Sequence, residues 1–380
     1  MASTKYNKES DWLSVFDDHA RVRWDALDLN RPARRLRAAD GFNITTQHKP
    51  QLWQWHKTDA ATLKWRPQGI TGSREAGSPD RPRWLAISWY GRVEERNAHQ
   101  GVRLSLLDYE RGSPSFLEYR HVLLVQDAKN IKNSDLFPLP DNARRYKQLA
   151  GFAPVPIHAG GIAWVGNLLY VADTALGFRI FDLTRIHAAH ADPGRSRCGV
   201  DGDRLYAFDY RYVLPEIGYY RMSGTQPNSF VSVGTGEDGR CLWTGQYLKK
   251  SVKLVPSLFG WPLQPNGHID TSRAAEAFKP DDSGGRAYNM QGAYRAAGST
   301  WLSVTGRPSH KRSTARLISQ APRRKGLRWR WPHGSEDLYL EAETGTLWSL
   351  TEFAASESSG ERFVFGVSFP TYAPKLHTAA

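Results

Sequence analysis

The stretch HAGGIAWVGNLLYVADTALGFRIFDLTRI, His158–Ile186, decides the fold. It reads as three short strands, residues 160–165, 167–174 and 177–183, each rich in β-branched and aromatic side chains. Gly166-Asn167 supplies a tight turn between the first two strands, and Thr174-Ala175-Leu176-Gly177 a turn between the last two. The apolar runs between these turns are too short for helices. The segment is an antiparallel meander.

Outward from it, the same grammar recurs four times. Residues 65–73 lead, after a loop, into 83–92 and 102–110. Residues 226–250 hold two strands around Gly236-Glu237-Asp238-Gly239. Residues 289–309 turn at Ala297-Gly298-Ser299 and are followed by 314–322, while 331–353 turn at Glu343-Thr344-Gly345 and are followed by 362–370. The spacing is uneven, roughly 40 to 90 residues, as expected where loops on one rim have grown. Small residues open each unit near positions 69, 161, 229, 292 and 334, which suits innermost strands crowding an axis. The expectation is an all-β protein with few short helices, built as a single β-propeller of five blades, with six or seven as alternatives. A β-sandwich or a pair of β-domains is the competing arrangement. Residues 61–380 form the propeller in this reading, and 1–60 form an N-terminal segment that packs on it or completes it. Helix is expected only at Trp12–Leu36, Asp141–Ala150 and Ser272–Phe278.

Within the opening stretch, LLYVADTALGFRIFDLTRI, Leu168–Ile186, resembles an LVIVD-type propeller repeat: an apolar strand, Ala-Asp, a Gly turn and a second strand ending in Asp. The likeness covers about one blade. It implies propeller architecture and carries no chemistry, because one fold hosts many functions.

Composition narrows the function classes. The chain has 380 residues, 40% of them hydrophobic, which is too many for intrinsic disorder. No apolar run reaches the ~18 residues of a membrane span, and the N-terminus shows no apolar signal region, so the expected location is the cytoplasm. Cys198 and Cys241 are the only cysteines, which excludes a disulfide scaffold and a cysteine-rich zinc module. The 33 Gly and 22 Pro against 3 Met suit short strands and tight loops.

The formal charge of +13 is concentrated. Nine Lys or Arg and no acid lie between Arg307 and Arg330, and RPARRLR spans Arg31–Arg37. A polyanion or nucleic acid is one reading of the 307–330 segment. No nucleic-acid motif accompanies it, and a solvated loop and strand face explains it equally. The expected partner is a small molecule, anionic or aromatic, and not a membrane or nucleic acid.

In a propeller, residues that open the first strand and close the second gather at one mouth of the channel. The opening column holds Gln68, His158, Asn228, Gln291 and His333, with Gly160 as an alternative to His158. The closing column holds Trp89, Tyr90, Asp173, Gln246, Tyr247, Thr305 and Glu352. Almost all of these side chains form hydrogen bonds, and two are carboxylates. Asp173 and Glu352 are the candidate general base and acid, with His158 and His333 as alternative proton-transfer groups. Gln68, Asn228, Gln291, Tyr90 and Tyr247 are candidate substrate-binding residues, and Trp89 a stacking platform. Each has a blander account: His158 or His333 as a turn lock, Asp173 as an Asx-turn, and Glu352 with Glu336-Asp337 as solvated acids.

No Gly-x-Ser-x-Gly, phosphate loop or dinucleotide fingerprint is present, so nucleophilic catalysis and nucleotide cofactors are not expected. No cofactor is predicted. A metal ion in the channel would need histidine and carboxylate to converge, and Asp281–Gly285 only superficially resembles a calcium loop. The leading expectation is an acid–base enzyme, a hydrolase, lyase or cyclase, acting on a polar ring-containing molecule. A noncatalytic carbohydrate- or peptide-binding propeller is the alternative.

Overall fold

The computed structural model describes residues 3–8, 11–36, 50–76, 82–92, 101–113, 116–133, 147–192, 194, 196–223, 228–249, 251, 254–280, 287–296, 298–306, 315–321, 326–357 and 362–369. Among these the chain is all-β: one five-residue helix, Lys57–Ala61, and a few 3-10 turns accompany the strands. The described parts of the segments expected to be helical hold 3-10 helix and strand but no α-helix. Asp11–Phe16 and Trp24–Ala26 are 3-10 turns, Arg31–Leu36 is a strand, and Glu276–Phe278 is a strand. Lys147–Gln148 is also extended, and 141–146 lie outside the described residues. Pro32 explains part of this, since it cannot donate within a helix, and the strand finds partners on both sides.

Five antiparallel runs carry most of the structure. The first unit pairs Trp65–Gly72, Trp84–Gly91, Val102–Ser113 and Phe116–Asp127 in order. The second pairs Ile162–Val165, Leu168–Asp173, Gly177–Asp182 and the second half of Tyr212–Met222, with Thr4–Lys8 added outside. The third is Phe230–Gly236, Gly239–Gly245, Leu258–Pro262 and Glu276–Phe278. The fourth is Met290–Ala296, Ser299–Val304, Arg316–Gln320 and Leu327–Arg330. The fifth is Tyr339–Glu341, Thr346–Leu350, Phe363–Ser368 and, from the start of the chain, Gln51–Gln54.

Two strands link the units' outer edges. Arg31–Leu36 pairs with Gln51–Gln54 of the fifth unit and Phe116–Asp127 of the first. Phe116–Asp127 also runs parallel to Val213–Pro215 of the second unit's last strand. An edge that would otherwise expose its amides is thereby covered.

Apolar layers lie between neighbouring units. Ala86 and Leu104 of the first meet Trp164 and Leu169 of the second, and Tyr170 and Ile180 of the second meet Val231 and Leu242 of the third. Trp243 of the third lies with Ala293 and Leu302 of the fourth, and Trp301 of the fourth with Leu347 and Phe365 of the fifth. Trp348 and Leu350 of the fifth share an apolar cluster with Ile87 and Leu107 of the first. Strands packed on both faces read as nearly unbroken apolar runs, as Leu168–Asp173 does: all six of its residues are buried. Cys198 and Cys241 are both free and buried, and burial pushes the Cys241 thiol up to about 11.

The first strands approach one another very closely. A Cβ on Gly69 would stand 2.7 Å from the Ile162 nitrogen, and one on Gly161 would stand 2.4 Å from the Val231 nitrogen. Only glycine permits this contact, which is the physical cause of the small opening residues. In the fifth unit the register differs from expectation. Across from Gly292 stands Asp337, whose Cα would lie 2.6 Å from an added Cβ, whereas Gly334 belongs to a preceding turn at φ +68°.

Candidate functional site

Each first strand has one edge without a strand partner, so its amides need other acceptors. Side chains supply them. Asp337 Oδ2 accepts from the amides of Ile70 at 3.2 Å and Ile162 at 3.3 Å, and Oδ1 from Leu338 at 2.9 Å. Thr71 Oγ1 accepts from the Trp164 amide at 3.1 Å, and Ser88 Oγ from the Gly69 amide at 2.9 Å. Glu75 Oε1 accepts from the Val233 amide at 3.3 Å, while Oε2 takes the Thr71 hydroxyl. Burial pushes the Asp337 carboxyl well above the usual carboxylate range, although its three amide donors pull the other way. Glu75 is pushed up to about 7 by burial, against the pull of Thr71 and Arg240.

At one end of these strands lies a cavity of about 790 Å³. Gln68, Tyr90, His158, Ser229, Tyr247, Gln291 and Glu352 line its inner part, and Gln126, Asp173, Arg179, Glu216, Tyr219 and Arg221 its outer part. The floor is acidic. Gln68 Nε2 donates to Glu352 Oε2 at 3.2 Å, and Gln291 Nε2 donates to Glu336 Oε1 at 3.0 Å. Arg66 Nη1 stands 3.6 Å from Glu352 Oε2 and also pairs with Glu357.

Burial pushes Glu336 well above the carboxylate range, and Glu352 and Asp337 push it further, against Gln291 and Arg66. Glu352 is raised by burial too, with Arg66 and Gln68 opposing. Arg66 pairs with Glu352, so Glu336 is the member that keeps its proton longer. Elsewhere in the lining Arg179 centres an ion-pair network. Arg179 Nε binds Asp173 Oδ2 at 2.8 Å and its Nη1 binds Glu216 Oε2 at 2.7 Å and Gln126 Oε1 at 2.9 Å. Burial works against this guanidinium, but Glu216 and Asp173 hold its proton more tightly than usual.

His158 stacks against Tyr90 with centroids 4.1 Å apart. Burial, then Arg66, lowers its imidazole to about 4, so it is neutral at physiological pH. The next residue, Ala159, adopts φ 51°, and its carbonyl is held by Ser88 Oγ at 2.9 Å. A non-glycine residue in the left-handed region is strained, and here it sets the imidazole's position.

Seven of the ten residues expected to form the site line this one cavity: Gln68, Tyr90, His158, Asp173, Tyr247, Gln291 and Glu352. Three do not. Trp89 is fully buried in the apolar core, donating Nε1 to Ser105 Oγ at 2.8 Å and meeting Trp55 edge-on at 4.7 Å. Successive strand side chains face opposite ways, so Tyr90 takes the cavity and Trp89 the core. Asn228 is buried and donates to Met222 Sδ, and the cavity is lined by its neighbour Ser229. His333 stacks on Phe353 with centroids 5.0 Å apart. Its expected place belongs to Glu336, because the fifth strand begins later than its glycine suggested.

The remaining placements also differ from expectation. Glu336 and Asp337 are not solvated: they are 1% and 0% exposed. Asp173 is held by the amides of Ala175 at 3.0 Å and Leu176 at 3.3 Å as well as by Arg179, so both its oxygens are committed. That is the Asx-turn account, and it removes Asp173 as a free base. Gln246 is buried, and neither its amide nitrogen nor its oxygen has a hydrogen-bond partner among the described residues. Arg179 and Glu216 escaped the sequence reading, although each is a charged residue inside an otherwise apolar strand, GFRIFD and YVLPEIGYY.

Among the described residues no three His, Cys, Asp or Glu gather as a metal site, and no helix is long and apolar enough to cross a membrane. Asp281–Gly285 and most of the basic run, 307–314 and 322–325, lie outside the described residues. No protein-family model matches the chain, and no curated protein matches it in sequence. The likeness of Leu168–Ile186 to a propeller repeat therefore rests on that segment alone.

Proposed function

We propose that the chain is a five-bladed β-propeller whose axial cavity binds a small, polar, ring-bearing molecule and transforms it by acid–base chemistry. The blade count rests on five antiparallel runs whose first strands touch in series, fifth against first: a Cβ on Gly72 would stand 2.4 Å from the Tyr339 ring. The chemistry rests on one observation. Glu352 presents a raised carboxyl to the cavity beside a second buried carboxyl, Glu336. Two acids in one dry site cannot both ionise cheaply, so a proton is kept there for donation.

In this reading the proton that Glu336 retains is shared with Glu352, which passes it to an oxygen of the substrate, and Gln68 fixes the Glu352 carboxyl's orientation. Neutral His158 accepts a proton from the other side. Proton transfer of this kind contributes about 10²–10⁴-fold to a rate. The reaction class is hydrolysis, elimination or cyclisation.

The test compares the protein with its Glu352→Gln variant on a mixture of polar metabolites, following consumption by mass spectrometry. Consumption by the parent, falling by at least about 100-fold in the variant at unchanged melting temperature, supports the reading. Equal rates would overturn it. A noncatalytic binding cavity is the second reading, favoured by the full commitment of Asp173. It predicts ligand retention by both proteins and turnover by neither.

A further inference from the structure

The cavity's polar groups divide into those already satisfied and those still open, and the division points to the ligand. The buried guanidinium of the outer wall is spent, because Arg179 gives Nε to Asp173 and Nη1 to Glu216, leaving one carboxylate in excess. Among the described residues the lining contains no lysine, and Arg221 is exposed. A phosphate or carboxylate would need a surplus of cationic donors, which this wall lacks. The open groups are uncharged. Tyr90, Tyr219 and Tyr247 line the cavity, and their hydroxyls have no hydrogen-bond partner among the described residues. Gln68 and Gln291 use their nitrogens on Glu352 and Glu336, which leaves each carbonyl oxygen as a spare acceptor. Three hydroxyls and two amide oxygens thus offer both donors and acceptors, beside the packed Tyr90 and His158 rings, whose centroids are 4.1 Å apart. A volume of about 790 Å³ accommodates a substituted ring with room for more than one.

We propose that the cavity takes an uncharged, polyhydroxylated ring compound of the glycoside or cyclitol type. A ring bearing adjacent hydroxyls presents donor and acceptor pairs at the spacing that amides and phenols match. The described lining holds two arginines, Arg179 and Arg221, against three acids, Asp173, Glu216 and Glu352, so the chain's net charge of +13 is not expressed there. The inference rests on the cavity reading above but not on its chemistry.

Isothermal titration with methyl glucoside, methyl mannoside, methyl galactoside and myo-inositol tests it, alongside the phosphorylated, carboxylated and aminated forms of the same rings. At least one neutral compound is expected to bind with Kd near 1 mM or tighter, on the order of −4 kcal/mol. Its charged forms should bind at least about ten-fold more weakly, and Tyr247→Phe and Gln291→Leu should each weaken binding by about ten-fold while retaining the melting temperature. Tighter binding of a charged form, or no binding by any neutral ring up to about ten times that concentration, overturns the proposal. The same titration on Glu352→Gln separates the two conclusions. Retained sugar binding with no turnover by the parent sinks only the acid–base reading, and turnover of a charged, non-hydroxylated compound sinks only this one.

Discussion

Glu75 offers a measurement of the axial interior that needs no ligand. Its carboxyl is enclosed by the first strands, which push it up to about 7 from the usual 4.5 through burial, against Thr71, Arg240 and the Val233 amide. Below about pH 4.5 the folded and unfolded chains are both protonated at this residue, and its contribution to stability is complete. Between about 4.5 and 7 the unfolded chain releases the proton while the folded chain keeps it, so stability falls as pH rises. The slope is about 1.4 kcal/mol per pH unit, or about 3 kcal/mol over the whole interval. That is a large part of the ~5–15 kcal/mol that holds a typical domain together. Glu75→Gln cannot titrate. Urea unfolding followed by tryptophan fluorescence should therefore show the variant gaining on the parent by about 3 kcal/mol between about pH 4.5 and 8. Other titrating groups cancel in the difference, and so does any constant cost of the amide. A gap that stays constant across the range, or one that widens toward acid, would refute the enclosure of this carboxyl.

Substitutions at three further positions probe the packing of the protein. Asp337→Ala leaves the Ile70 and Ile162 amides without an acceptor and should cost ~1–3 kcal/mol for each, read from urea midpoints. Asp337→Asn keeps an acceptor oxygen and should cost less, so equal losses would refute the hydrogen-bonding account. Trp89→Ala should cost ~3–5 kcal/mol as a core truncation and leave ligand affinity of the folded protein unchanged. Lost affinity at full stability would return Trp89 to the cavity. His121 is lowered from the usual 6.5 to about 4 by burial and then Arg103, with Asp59 opposing. Here the sign reverses: the unfolded chain binds the proton first, so stability falls as pH drops from about 6.5 toward 4, by about 3 kcal/mol. His121→Gln should lack that acid-side loss in the same urea titration.

The sequence is most legible where turns are local. Gly166-Asn167 and Thr174–Leu176 mark both turns of the second unit, and its strands lie at Ile162–Val165, Leu168–Asp173 and Gly177–Asp182. Legibility fails wherever the partner is remote. Gln51–Gln54 pairs with Phe363–Ser368 from the far end of the chain, and four residues carry too little periodicity to announce it. It fails again at single-residue register. Trp89 and Tyr90 are adjacent, and only the pairing of Arg66 with Tyr90 and Pro67 with Trp89 decides which of them reaches the cavity. Gly334 looked like the small residue of a first strand, but its positive φ serves a turn. Polar residues such as Arg179 and Glu216 become intelligible only once two strands of one unit are set side by side.

The free edges of the first strands connect the fold to the chemistry. Amides on an unpaired edge need acceptors, and here Asp337 serves two neighbouring strands while Glu75 serves a third. Carboxyl groups are strong acceptors, but between the first strands they are closed off from water, and burial raises their proton affinity. Asp337 is one of the groups that raises Glu336, and Glu336 faces Glu352 at the cavity floor. The cost of pairing the axial amides therefore reappears as proton affinity one layer higher. Replacing Asp337 by a neutral residue would remove one of the groups that raise Glu336, so the carboxyl pair would give up its proton more readily. On this account burial and Glu352 raise Glu336 first, and the side chain that holds two of the first strands together adds to them.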